Sequence, residues 1–433
     1  MILEFSVENF LSFKDLSTLS MVGVKSFKEL EETNTIKLDR DIKVLKSAVV
    51  YGNNASGKSN FLNAIGFMKN VVLNSFRDAI SDESSRKISL NKFLLSTETE
   101  QEPSYFEVVF TCNNRKYRYG FEITEDIIES EWLYYTDSRE TPMFTRENQK
   151  FEINKSAFSE GLGLEKRTKE NVLFLSLVAQ LNGDVSNKII DWFKNLNLIS
   201  GIHDRSYKRY TIDRLKSDKD FLKWLSDFIN FLEITKLSTA EEEVEDIDLE
   251  TLKKKEKDEE ILNFFSSLQR LQSKQPRRDR IITWHRKFDK NNILVDSVPF
   301  SFDSDESEGT KKLIYLLGPW YDSLKNGRVL VVDELDSRLH SKLTMKLVEY
   351  FHKHNQNNAQ LIFAVHDTSI LNRDVFRRDQ IWFINKDQFG VSNLYSLADF
   401  SSEKVRKKTA FDKNYLEGKY GAIPNIKEPS LSL

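Results

Sequence analysis

A single cysteine in 433 residues, Cys112, excludes an intrachain disulfide framework and a cysteine zinc site. The default role of that thiol is a small buried side chain, and its scarcity suits a reducing compartment. Long apolar runs are missing too: no stretch approaches the ~18 residues of a membrane span. The opening MILEFSVENFLSF lacks the basic start and extended apolar core of a signal peptide, so the expected location is cytoplasmic, with no membrane contact. Net charge is small, since 64 Lys and Arg face 67 Asp and Glu for a formal −3. No global field draws in polyanions, and any nucleic-acid contact needs a local patch. Heptads are not sustained, which excludes a long coiled-coil arm.

What is present is concentrated in Val49–Asn60, VVYGNNASGKSN, where Gly52 to Ser59 fits G-x-x-x-x-G-K-[ST]. Gly52 and Gly57 let the backbone turn tightly with its N–H groups aimed inward. The positive end of the following helix then adds to the hold on a β-phosphate. Lys58 is placed for the β and γ oxygens, and the Ser59 hydroxyl for Mg²⁺. The whole loop (Gly52, Asn53, Asn54, Ala55, Ser56, Gly57, Lys58, Ser59, Asn60) is therefore the expected cradle for ATP. Ala48–Tyr51 is an apolar strand-type run, and Phe61, Leu62, Ile65, Met68 and Val72 recur at helical spacing. The loop thus sits between strand and helix, as the chemistry requires.

Around this loop, Met1–Val7 and Leu16–Val22 read as paired strands, and Tyr105–Thr111 with Lys116–Ile123 as a hairpin across Asn113–Asn114. Glu131–Tyr135, Met143–Thr145 and Phe151–Ile153 continue a β-rich arm. From Asn171 to Gln272 the spacing turns helical, including Ile189–Leu198 and Phe221–Leu232. This stretch also holds the charge run Glu241–Glu260, with basic Lys274–Arg280 just beyond it. Ser81–Lys87 marks a polar break. Arg328–Val332, Gln360–Val365 and Gln380–Ile384 are buried-type strands separated by helical stretches. The fold class expected is α/β, a P-loop NTPase head with a β-rich arm and a helical insertion. Its expected parts are 1–90 and 286–400 for the two portions of the head, 91–165 for the arm, 166–285 for the insertion and 401–433 for a tail.

Hydrolysis needs a metal-anchoring carboxylate and a group that activates water, and VLVVDE (329–334) offers both. Asp333 ends a buried strand where it can hold the Mg²⁺ shell, and Glu334 follows as general base or water-orienting group. Ser307–Glu308–Gly309 precedes an apolar helix whose N-terminal donors can face an anion. His366, directly after Gln360–Val365, is placed to sense a terminal phosphate.

The order of these motifs resembles the ABC-type ATPase heads of the SMC and RecF families. That resemblance implies that Ser307 and Gly309 of one subunit close over nucleotide held by another, with Asp336 at the interface and His366 as the switch histidine. It implies a homodimer or higher homo-oligomer sandwiching ATP. ESEGTKKL, DELDSRLH, AQLIFAVHD, RRDQIWF and YLEGKYGAIP together look like the abortive-infection ATPases of the RloA and AbiL type, related to AriA and to the ATPase half of OLD proteins. Members of that group commonly act with a separately encoded effector of Toprim or nuclease type, and no acidic cluster after the last strand marks a Toprim nuclease within this chain. The expected function is ATP hydrolysis at a dimer interface that controls such an effector in anti-phage defence.

Two rivals remain at the level of sequence: a DNA-repair ATPase of the SMC and RecF kind, and a self-contained nuclease. The second draws on the loose R-x-x-x-x-H of Arg280–His285. His352 with His354, and the acidic group Asp303, Asp305 and Glu306, are weak metal candidates.

Overall fold

The computed structural model describes residues 1–39, 42–79, 88–203, 205–243, 277–400 and 411–422. The break at Ser81–Lys87, residues 244–260 of the charge run, residues 274–276 of the basic run, and the tail past residue 422 lie outside them. Two compact units emerge, one of residues 1–203 with 322–433 and the other of residues 204–321.

In the first unit, seven antiparallel strands form the arm sheet. These are β1 (Ile2–Glu8) and β2 (Ser17–Ser20), followed by β6 (Ser104–Cys112), β7 (Arg115–Ile123), β8 (Ile128–Thr136), β9 (Glu140–Glu147) and β10 (Lys150–Ile153). β6 and β7 turn at Asn113 and Asn114, both left-handed at φ 49° and 61°, the conformation a two-residue hairpin requires. A two-stranded ribbon, β3 (Thr35–Lys37) with β4 (Lys43–Leu45), lies between arm and core in sequence.

The second sheet carries the nucleotide elements. It contains β5 (Ser47–Gly52), β11 (Leu196–Ser200), β15 (Val329–Asp333), β16 (Gln360–Ala364), β17 (Ile381–Lys386) and β18 (Ser392–Ser396), in the order β11-β15-β16-β5-β17-β18. All neighbours run parallel except the antiparallel edge strand β18. Every residue of β5 and β16 is buried, which is why these strands read as unbroken apolar runs and not as alternating ones. This is the mixed α/β head expected from the sequence.

Helix α1 (Lys58–Asp78) starts at the phosphate loop and packs Phe61, Leu62, Ile65, Met68 and Val72 into the core shared by both sheets. The Phe61 ring meets Phe5 and Phe13 edge-on, each at 5.7 Å. Each such buried side chain contributes about 1.5–3 kcal/mol, so the helix start is held by tertiary packing. The arm is fastened through Glu131 in β8, which accepts from the N–H groups of Phe174 (2.6 Å) and Leu175 (3.0 Å) at the start of α2 (Phe174–Gln180). Burial raises the Glu131 pKa, opposed by the nearby Arg146 and these N–H donors.

Helix α3 (Asp184–Lys194) stops before β11, so Ile189–Leu198 is not one helix but a helix and a strand. The second unit also departs from a purely helical reading. Beside α4 (Arg205–Ser217) and α5 (Lys219–Phe228) it holds an antiparallel sheet of β12 (Ile234–Glu243), β13 (Arg277–Phe288) and β14 (Leu294–Ser301). Arg280 and His285 are five apart on β13, and side chains at odd separations on a strand face opposite ways. The pair cannot converge as a catalytic dyad.

Helix α6 (Glu308–Asn326) contains Pro319, which removes the N–H that would bond the Tyr315 carbonyl. Thr211 of α4 supplies the missing donor, its hydroxyl reaching that carbonyl at 2.6 Å. Gly318 permits the approach, because a Cβ there would lie 2.1 Å from Thr211 Oγ1.

Helix α7 (Ser341–His354) buries His352, whose Nε2 shares a 2.8 Å hydrogen bond with the Ser47 hydroxyl, while His354 stacks on Tyr350. Neither is a metal ligand. Desolvation, aided by the Lys46 charge, pushes the His352 pKa down to about 3. An unfolded chain binds that proton near pH ~6.5, so this site costs stability progressively as pH falls below that value and is neutral above it. Comparing melting temperatures of the native protein and His352→Gln at pH 7 and pH 5 is expected to show a steeper acid loss for the native ring. Equal slopes would overturn this assignment.

Candidate functional site

At the carboxyl end of β5 the chain bends through a loop that requires glycine at two positions. A Cβ on Gly52 would sit 2.3 Å from the Ile384 carbonyl oxygen. Gly57, at φ +113°, caps α1, and a Cβ there would meet the hydroxyls of Ser392 at 2.4 Å and Ser12 at 2.7 Å. Those two serines form a buttress behind the loop. Ser392 Oγ donates to the Ser56 carbonyl at 2.5 Å and lies within hydrogen-bond distance of Ser12 Oγ at 2.8 Å, and the Asn60 amide donates to Ser12 Oγ at 2.8 Å. Sequence motifs did not single out Ser12 or Ser392, because their roles arise from contacts across hundreds of residues.

Lys58 curls over the loop and donates to the carbonyls of Gly52 (2.6 Å) and Asn53 (3.0 Å). Burial lowers its pKa to about 8, against the opposing pull of Asp333, Asp336 and Glu334. All three carboxylates come from the end of β15 and the turn after it.

The cleft above the loop has a volume of about 730 Å³ and is lined by residues 54–60 with Glu334, His366 and Lys386. The structure thus brings Lys58, Ser59, Glu334 and His366 to one cavity. Glu334 has a left-handed backbone, φ 52°, a strained conformation for a residue with a side chain. Its Oε1 lies 3.8 Å from His366 Nε2. Asp336 folds back within its own subunit, its Oδ2 accepting from the N–H groups of His366 (2.8 Å) and Asp367 (2.7 Å). Lys386, at the end of β17 on the opposite side of β5 from Glu334 and His366, was not foreseen. A lone lysine after a strand carries no signal until the sheet order places it beside the loop.

Three buried side-chain oxygens here lack a hydrogen-bond partner: Asp333 Oδ1, Asn53 Oδ1 and Ser56 Oγ. An orphaned carboxylate oxygen is costly unless a cation or water completes it. One carboxylate with one hydroxyl, Asp333 and Ser59, suits Mg²⁺, which keeps most of its waters and borrows phosphate oxygens. The residues present fit the metal.

Ser307 and Gly309 belong to the second unit. Ser307 is exposed and caps α6, its Oγ accepting from Thr310 N–H at 3.1 Å. Just before it, Glu306 Oε1 accepts from the Thr283 hydroxyl at 2.5 Å and pairs with His285 Nε2 at 2.7 Å, anchoring the serine's loop to β13. Asp303 is engaged by Lys208 at 2.9 Å and Asp305 accepts from Ser301 N–H at 2.7 Å, so the acidic group is spent on local bonds. Among the described residues, no group of three or more His, Cys, Asp and Glu side chains is arranged to hold a metal ion by itself. Among them too, no helix is long and apolar enough to cross a membrane.

A family model described as "AAA domain, putative AbiEii toxin, Type IV TA system" matches residues 47–372. No curated protein matches the chain. Among solved structures, the SMC head domain from Thermotoga maritima is similar at 14% identity and a TM-score of 0.40, covering 91% of this chain and 98% of that one. An SMC head bound to the C-terminal winged-helix domain of ScpA is similar at 13% identity and a TM-score of 0.43, covering 93% and 99%.

Proposed function

Because the chain belongs to this AAA-domain family, its model matching residues 47–372, we propose that it is an ABC-type ATPase that hydrolyses ATP between two copies of itself. The observation that carries this reading is the single cleft joining the phosphate loop to Glu334 and His366. In it the loop N–H groups and Lys58 bind the triphosphate tail, and Glu334 orients and deprotonates water for attack on the γ-phosphorus. His366 contacts the terminal phosphate from the neighbouring strand end. Mg²⁺, held by Ser59 and Asp333, would neutralise charge on the β and γ oxygens. Ser307 and Gly309 present an exposed helix start of the kind that binds anions, and the second copy's Ser307 would close over the γ-phosphate.

A partner of nuclease or Toprim type, controlled by this cycle in anti-phage defence, accords with the likeness to abortive-infection ATPases and with the toxin-system description of the family. Mixing two inactive variants tests the shared site. Lys58→Ala and Ser307→Arg are each expected to be inactive alone. A mixed dimer restores one complete site, so activity is expected to return on mixing. Failure to recover activity, with both variants folded, would refute hydrolysis across a dimer.

A further inference from the structure

The strand at the far edge of the nucleotide sheet ends against the catalytic turn. β11 pairs with β15 so that Ser200 lies opposite Asp333, and the next residue, Gly201, donates its N–H to the Asp333 carbonyl at 2.6 Å. A Cβ at Gly201 would fall 2.0 Å from the Glu334 carbonyl oxygen, 2.7 Å from its carbonyl carbon and 2.8 Å from the Asp333 oxygen. All of these are backbone atoms, so no flexible side chain can step aside. The φ of Gly201 is outside the left-handed region, which means that a larger residue would meet no torsional obstacle, only this contact.

On its other side the same turn is held by β16. Leu335 N–H bonds the Ala364 carbonyl at 3.0 Å, and Asp336 takes the N–H groups of His366 and Asp367. The left-handed peptide of Glu334 is therefore clamped between Gly201 and the start of the His366 loop. Displacing either jaw moves the carboxylate without touching the phosphate loop.

We propose that Gly201 is a positioning residue for hydrolysis: the absence of a side chain there lets β11 close on the Asp333–Glu334 peptide and fix the Glu334 carboxylate over the cleft. The inference rests on the assignment of Glu334 under the proposed function. Any Cβ must push the Glu334 peptide away, and misplacement of a reacting group by about 1 Å can cost about 10²-fold in rate. Binding of metal-free nucleotide, which draws on Lys58 and the loop amides and not on Asp333, is left alone.

The test measures steady-state ATP hydrolysis and equilibrium ADP binding for Gly201→Ala, Ser200→Ala and Glu334→Gln. Gly201→Ala is expected to lower kcat about 100-fold while KM and ADP affinity stay within about twofold, a split that general loss of structure does not give. Ser200→Ala adds no bulk. It removes the hydroxyl that accepts from Ile202 N–H (3.2 Å) and His203 N–H (3.3 Å), loosening the turn after Gly201. Its kcat is expected to fall about threefold at unchanged KM.

A Gly201→Ala protein with the native kcat, or one losing ADP affinity in step with rate, overturns the proposal. Should that variant fail to fold, a Ser200→Ala protein with the native kcat overturns it instead. The reference variant separates the two claims. If Glu334→Gln is inactive and Gly201→Ala is not, only the role of Gly201 falls, whereas an active Glu334→Gln removes the assignment on which it rests.

Discussion

Glu334→Gln is expected to keep ATP bound and slow its hydrolysis by about 10²–10⁴-fold, the range for loss of a positioned general base. The amide matches the carboxylate in shape, so the left-handed turn at φ 52° and its flanking backbone bonds remain. What disappears is the ability to accept a proton from water beside the γ-phosphate. Binding should not weaken, since one negative charge has left a cleft that must receive a polyanion. Rapid-quench measurement of a single turnover, alongside equilibrium binding of a fluorescent ATP analogue, reads both quantities. A native rate in the quench experiment would show that another group activates the water.

Lys58→Ala is expected to act on the other quantity, lowering ATP affinity by about 10- to 100-fold, as befits loss of charge-assisted bonds to phosphate. Stability should hold or rise. The folded protein depresses the Lys58 pKa to about 8 from an ordinary 10.5, so below pH 8 the unfolded state is the better host for its proton. By the same sign, stability gained from releasing that proton appears only as pH climbs from about 8 toward 10.5. Titration calorimetry and a thermal melt at pH 7 check the two halves. Unchanged affinity would remove Lys58 from the phosphate site, and a large drop in melting temperature would make it a structural residue.

The nucleotide elements were legible because their signals are local. VVYGNNASGKSN contains its own strand, turn and helix start, and VLVVDE contains both the burial and the acid. The hairpin at Asn113–Asn114 was legible for the same reason, as two residues that tolerate positive φ flanked by alternating strands. Ile189–Leu198 misled because apolar residues continue at helical spacing past Lys194, where the chain switches to an edge strand. β13 was obscured by its charges, since a strand such as RRDRIITWHRKF, with charged residues at both ends, lacks a continuous apolar run. The buttress of Ser12 and Ser392, the cleft residue Lys386 and the approach of Gly201 to Glu334 are products of sheet order. Short-range spacing holds no trace of them.

The bond from Thr211 to the carbonyl abandoned by Pro319 has a mechanical consequence. A helix broken at that point could flex independently on either side of its proline. Here a neighbour holds that point, and the lack of space at Gly318 opposes sliding of α4 along α6. The weak point that Pro319 would otherwise make in α6 is thus braced against α4.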